Sequence, residues 1–209
     1  LSKDGVVLMD LGEYPFSKRY GWIQDKYGLS WQIIYFEEVK DDQKIKPVLM
    51  YTQDLAGNAE EAINFYTEVF KNAPDATGIS ELRGIMRYNK GEEPDKEGAV
   101  RYADFSLAGI KMGAMDSAQK HQFKLNEAIS LLVECENQEE VDYYWEKMSA
   151  VKEAEQCGWL KDQFGVSWQI HPKIINKMFA EGTPEQVARV TQAFMQMKKF
   201  DIAKLEEAY

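Results

Sequence analysis

The chain of 209 residues carries 25 Lys and Arg against 35 Asp and Glu, a formal net charge of -10, and is 44% hydrophobic and 12% aromatic. That composition belongs to a folded globular protein, and its acidity, with no basic run longer than a pair such as Lys198 and Lys199, excludes nucleic acid and an anionic membrane as expected partners. Two cysteines, Cys135 and Cys157, are too few for a disulfide framework, which points to a reducing compartment and a cytoplasmic protein, and no apolar run reaches the ~18 residues of a membrane span.

In chain order, residues 6–11 and 28–34 read as strands, and the charged stretch EEVKDDQK over 37–44 reads as a linker. Residues 47–53 form a short apolar strand. A helix follows, in which Asn58 serves as N-cap, Glu60 and Glu61 oppose the helix dipole, and Ala62, Ile63, Tyr66, Val69 and Phe70 fall on one stripe. Strands over 79–88, 99–107 and 110–116 complete a β-α-β-β-β unit. A second, shortened unit comprises a strand at 128–135, a helix capped by Asn137 with Val141, Tyr144, Trp145 and Met148 inward, and strands at 153–161 and 166–171. The last segment is helical: from Pro172 to Ala180, then from the Thr183-Pro184-Glu185-Gln186 start, then from Asp201 to Tyr209.

An internal repeat organises these elements. GWIQDKYGLSWQI begins at Gly21 and GWLKDQFGVSWQI at Gly158, and the two share Gly, Trp, Asp, Gly, Ser, Trp, Gln and Ile at eight of thirteen positions. A whole unit precedes the second copy and only 20 residues precede the first. With Leu1 in place of Met at the start, residues 1–36 are expected to be the end of a first domain whose earlier part lies outside this sequence. The expected organisation is that remnant, a linker over 37–44, a complete domain over 45–173 and a helical extension over 174–209. Asp25 and Asp162, three residues before a glycine, suit turns closed by side chain to backbone hydrogen bonds.

Three motifs carry a resemblance: GNAEEAINFYTEVFK from Gly57 to Lys71, the D-x-[FY]-G-[VL]-S-W-Q-I signature present twice, and the tail M-x-K-F-D-I-x-x-L-E-x-A-Y. Together they resemble the PhnB-like branch of the vicinal oxygen chelate (glyoxalase) superfamily, often labelled 3-demethylubiquinone-9 3-methyltransferase. The resemblance implies an α+β fold of paired βαβββ modules forming a half-barrel cup, and in active relatives a divalent metal held in the cup by His and Glu. The methyltransferase label fits the residues poorly, because no strand, G-x-G loop and helix series is visible.

At the positions where the resemblance implies metal ligands stand Tyr51, Met112 or Ala114, Ser130 and Gln169, none of them His, Asp or Glu. The expectation is therefore no metal and no cofactor, no assignable catalytic residue, and a cup lined by Tyr51, Arg101, Met112, Ser167 and Gln169 that binds an unknown small molecule. His121 is expected in a polar, solvated linker and His171 at a strand end. The leading reading is a small-molecule binder or degenerate enzyme that forms a homodimer. A metal-dependent lyase or dioxygenase with unexpected ligands and a homo-oligomeric interaction module are the alternatives.

Overall fold

The computed structural model describes residues 1–35, 37 and 43–209, so the linker expected over 37–44 lies mostly outside the described residues. The chain divides into two compact units, Leu1–Lys44 and Ile45–Tyr209. In the first, β1 (Val6–Tyr14), β2 (Ser17–Gln24) and β3 (Ser30–Ile34) form an antiparallel meander in that order. β2 was not legible, because Lys18, Arg19 and Gly21 interrupt its apolar alternation. Pairing on both edges makes it a strand and buries Tyr20 and Ile23.

The second unit opens with β4 (Val48–Thr52), α1 (Ala59–Lys71), β5 (Glu81–Arg87), β6 (Val100–Leu107) and β7 (Ile110–Ser117), which give a sheet of order β4-β7-β6-β5 with β4 parallel to β7. It continues with β8 (Ser130–Cys135), α2 (Gln138–Met148), β9 (Trp159–Lys161) and β10 (Ser167–Pro172), a smaller sheet of order β8-β10-β9 with β8 parallel to β10. Neither sheet closes into a barrel, so the architecture is α+β with strand-helix-strand modules. Of the strand expected over 153–161 only β9 forms, since Lys152–Ala154 turns as a 3-10 helix.

Each sheet presents one face to a helix. Register places Leu49 opposite Ala114, Ala114 opposite Ala103 and Met112 opposite Phe105, so these side chains and Tyr51 share a face. All are buried, as are Ala59, Ala62, Ile63, Tyr66, Val69 and Phe70 of α1. On the smaller sheet, Leu160, Trp168, Ile170 and Val133 share a face and join Val141, Tyr144, Trp145 and Met148 of α2 in the same core. Each large apolar side chain so covered contributes about 1.5–3 kcal/mol.

The start of α1 differs from expectation. Asn58 makes no side-chain cap; the Asp116 carboxylate of β7 accepts instead from Gly57 N at 2.8 Å and Ala59 N at 3.0 Å, and its other oxygen accepts from Val100 N at 3.0 Å. Asn137 does cap α2, through Glu140 N at 3.0 Å. The C-terminal helices α3 (Lys173–Glu181), α4 (Pro184–Met195) and α5 (Ile202–Ala208) bury Ile175, Met178, Val190 and Leu205 in the core of the second unit. Thr183 and Gln186 form the capping box that starts α4. Phe200 lies against Gly158, where a Cβ would come within 2.3 Å of its ring.

The repeated motif folds alike in both units. Asp162 Oδ1 accepts from Phe164 N at 2.9 Å and Val166 N at 3.0 Å, and Oδ2 accepts from Trp168 Nε1 and from the Tyr66 hydroxyl, both at 2.7 Å. Asp25 accepts from Tyr27 N, Leu29 N and Trp31 Nε1 at 2.9, 3.0 and 2.9 Å. Gly165 and Gly28 supply the positive φ at which the turn reverses. Environment separates the two carboxylates. Burial pushes the Asp162 pKa above its ordinary value against the pull of its four donors, whereas the Trp31 hydrogen bond leads the influences that hold Asp25 below it.

Two predictions follow from this core. Asp162→Ala strands two backbone amides, an indole N–H and a phenol and is expected to cost about 3 kcal/mol or more in urea unfolding of the full chain, with a smaller change for Asp25→Ala. The Tyr51 hydroxyl is buried with no hydrogen-bond partner among the described residues, so Tyr51→Phe is expected to leave stability unchanged or raise it by up to about 1 kcal/mol, while Tyr66→Phe lowers it by about 1–3 kcal/mol.

Candidate functional site

The five residues expected to line one cup fall into three places. Tyr51 and Met112 lie on the face beneath α1, at 0% and 3% exposure, and cannot reach a ligand there. The reason is strand parity: β4 and β7 run parallel, and the residues that share a face with Leu49 and Ala114 are those the helix covers. Burial raises the Tyr51 pKa well above the usual phenol value, so this side chain is a neutral part of the core. Arg101 is tied to the β5–β6 connection, with its guanidinium paired to Glu92 and stacked 5.1 Å from the Tyr88 ring. Ser167 and Gln169 lie on the face of β10 turned away from Trp168 and Ile170, where Gln169 Nε2 donates to Ser130 Oγ at 2.8 Å. No hydrogen bond or ion pair among the described residues joins these three places.

The side chains on the opposite face of the larger sheet were not singled out by sequence. Register puts Val48 opposite Gly113, Gly113 opposite Asp104, and Met50 opposite Met115, which places these residues away from α1. There Lys46 Nζ lies 2.5 Å from Asp104 Oδ1, and the Tyr102 hydroxyl donates to the same oxygen at 3.3 Å. Tyr102 rests on Gly113, where any Cβ would meet its hydroxyl at 2.8 Å, so the glycine makes room for the phenol. Burial lowers the Lys46 pKa, but Asp104 and Tyr102 more than offset this and hold the ammonium charged. Burial and then Asp104 raise the Tyr102 pKa, so the phenol keeps its proton. The alternation of Tyr102, Asp104 and Ser106 along β6 was the available signal.

A shallow hollow of about 380 Å³ lies beside the smaller sheet, lined by Glu127, Ala154, Gln156, Cys157 and Trp159. Trp159, half-buried, lines this surface. Gln156 Nε2 donates to Met195 O at 3.1 Å, and Lys161 reaches Glu127 at 3.6 Å.

The histidines stand apart from both surfaces. His121 is half-buried and not solvated as expected: its Nε2 lies 2.7 Å from Ser117 Oγ and its ring packs on Phe123, with burial lowering its pKa. Ser117 is only 4% exposed, and its hydroxyl also accepts from Gln119 N, so the pair closes a loop and presents no accessible nucleophile. His171 Nε2 pairs with Asn176 Oδ1 at 3.0 Å at the junction of β10 and α3. Cys135 is buried, and burial and Glu140 push its thiol up to about 12, which leaves it unreactive as a thiolate.

The residues present do not fit the divalent metal that the resemblance implies. Two of the four expected ligand positions are covered by α1, and the other two, Ser130 and Gln169, are hydrogen-bonded to each other. Among the described residues no three His, Cys, Asp or Glu side chains are grouped to hold a metal ion, and no helix is long and apolar enough to cross a membrane.

Comparison with known proteins gives the family. No curated protein matches the chain. Among solved structures, the PhnB protein of Bacillus cereus is 37% identical over 62% of this chain and 99% of its own, with a TM-score of 0.50. A Pseudomonas aeruginosa protein is 17% identical over 63% of this chain and 98% of its own, with a TM-score of 0.47. The family model described as 3-demethylubiquinone-9 3-methyltransferase matches residues 1–34 and 43–171, which takes in β1 to β3 and then β4 to all but the last residue of β10. With both copies of the Asp-Trp motif inside the matched residues, the chain belongs to the 3-demethylubiquinone-9 3-methyltransferase family and is PhnB-like.

Proposed function

We propose that the second unit binds a small, oxygen-rich anionic molecule on the face of the β4-β7-β6-β5 sheet turned away from α1, without a resident catalytic metal. The observation that carries this reading is the Lys46–Asp104–Tyr102 cluster set over Gly113 and flanked by Met50 and Met115. Nothing in the packing of α1 requires an ion pair and a phenol on that face. A charged ammonium with donors to spare and a protonated phenol recognise carboxylate or enolate oxygens, and the methionines offer a soft apolar floor to the rest of the molecule. The half-buried amide of Gln169, on the equivalent face of the smaller sheet, is a further orienting group through its carbonyl oxygen, since its Nε2 donates to Ser130.

The same groups limit the chemistry. A lysine whose charge Asp104 stabilises is a poor proton acceptor near neutral pH, and a phenol with a raised pKa is a poor acid. This favours a binding protein or an enzyme that has lost its chelating centre over an acid–base catalyst. The methyltransferase description is not followed by the fold: the described residues form no doubly wound parallel sheet with a glycine-rich loop to seat a methyl donor.

The test is thermal unfolding of the full chain with oxalate, malonate or benzoate as probes. At least one probe is expected to raise the midpoint by 2 °C or so, about the shift that binding at several times Kd produces. Asp104→Asn combined with Lys46→Met is expected to remove the shift without unfolding the protein. A midpoint unmoved by every probe, or a shift that persists in the double variant, ends the proposal. Added Ni²⁺, Zn²⁺ or Mn²⁺ is expected to leave the midpoint where it was.

A further inference from the structure

The stretch of β5 beside the Lys46–Asp104–Tyr102 cluster carries a glycine that the fold does not call for. Register is regular from Gly84, opposite Asp104, through Ile85, opposite Ala103, to Met86, opposite Tyr102. Ile85 packs against the buried core, so Gly84 and Met86 stand on the other face, the one that holds Tyr102 and Asp104. A Cβ built on Gly84 would meet nothing within 4 Å, and Gly84 is not among the glycines with positive φ. The register shift between Leu82 and Gly84 does not call for glycine either, since only a bulge with positive φ favours it. Glycine inside a strand weakens it, and where neither a turn nor packing demands one it marks close approach by another molecule. The neighbouring side chains leave the place open. Tyr102 reaches across Gly113 of β7, and so turns away from β5, while Met86 is 55% exposed. Asp104 Oδ1 takes both the Lys46 ammonium and the Tyr102 hydroxyl, and Oδ2 has no hydrogen bond among the described residues.

We infer that this place, floored by Gly84 and bounded by Met86, Tyr102 and Asp104, is the subsite for the ring of an aromatic acid that carries a hydroxyl apart from its carboxylate. The inference rests on the small-molecule reading above and gives that molecule its shape. Hydrogen-bonding capacity selects the two polar ends. Lys46 Nζ carries more N–H groups than Asp104 and Tyr102 engage and has one to give a carboxylate, whereas Asp104 Oδ2 is an acceptor and takes a hydroxyl. The floor selects the body between them. A flat ring lies close against a strand that has no side chain above it, with the Met86 thioether at the ring edge, whereas a puckered or branched body is held off the backbone. A hydroxyl next to the carboxylate does not serve, because it gives its hydrogen to its own carboxylate oxygen and has none left for Asp104.

The test is calorimetric titration of the full chain with malonate, benzoate, 2-hydroxybenzoate and 3-hydroxybenzoate. 3-Hydroxybenzoate is expected to bind about tenfold more tightly than benzoate, the worth of one hydrogen bond to a charged acceptor, and 2-hydroxybenzoate no more tightly than benzoate. Gly84→Val is expected to keep or raise the unfolding midpoint, because nothing stands within 4 Å of the new Cβ and valine suits a strand. The same variant is expected to weaken 3-hydroxybenzoate binding by about tenfold or more, Gly84→Ala to weaken it less, and any binding of malonate, which has no ring, to stay unchanged. The inference is overturned if 3-hydroxybenzoate binds no more tightly than benzoate, if its affinity survives Gly84→Val, or if malonate binding falls in step with it, since the substitution then disturbs the whole face. In each of those cases, binding of benzoate or malonate that is lost on combining Asp104→Asn with Lys46→Met leaves the small-molecule reading standing. Absence of binding by all four probes overturns both.

Discussion

One carboxylate closes the fold's recurring turn. Asp162 gathers two backbone amides, the Trp168 indole and the Tyr66 phenol, so a single buried side chain fixes the turn between β9 and β10, aims the tryptophan inward, and ties the smaller sheet to α1 of the larger module. Asp25 makes the same turn with three of the four contacts; a helical tyrosine is the missing one. The difference in ionisation follows from it. The carboxylate under a helix is desolvated and its pKa rises, while at Asp25 the Trp31 hydrogen bond, with those from Leu29 and Tyr27, outweighs desolvation and the pKa falls.

The helices decide where chemistry can happen. Because α1 and α2 each take one face of a sheet, strand parity divides every strand into residues that hold the core and residues that can meet a ligand. Tyr51 and Met112 fall on the first side; Tyr102, Asp104 and Gln169 fall on the second.

Much of the fold was legible because its signals are local. The stripe of Ala62, Ile63, Tyr66, Val69 and Phe70, the Asn137 cap and the Thr183–Gln186 box each lie within one turn or two of the helix they specify, and all three appear as read. The repeated thirteen residues announced a repeated turn, and its hydrogen bonds agree down to the indole. What escaped was non-local. Asn58 looked like a cap, but Asp116, far along the chain, takes its place, and β2 is a strand only because two neighbours pair with it. The five residues assigned to one cup lie apart for the same reason: placing Tyr51 of β4 and Met112 of β7 on a face needs the phase of each strand relative to α1. Lys46 and Asp104 come together only through the order β4-β7-β6, which no spacing in the sequence records.

The Asp116 cap also bears on how the chain reaches this state. The first two residues that need it, Gly57 and Ala59, precede β7 by more than fifty positions, and its third contact, Val100, lies between them. On a nascent polypeptide α1 is made long before its cap, and it stays frayed at that end until three later strands have assembled beside it. Closing this large loop costs entropy that only the finished sheet returns, so the first module matures as one cooperative event rather than helix first and sheet second.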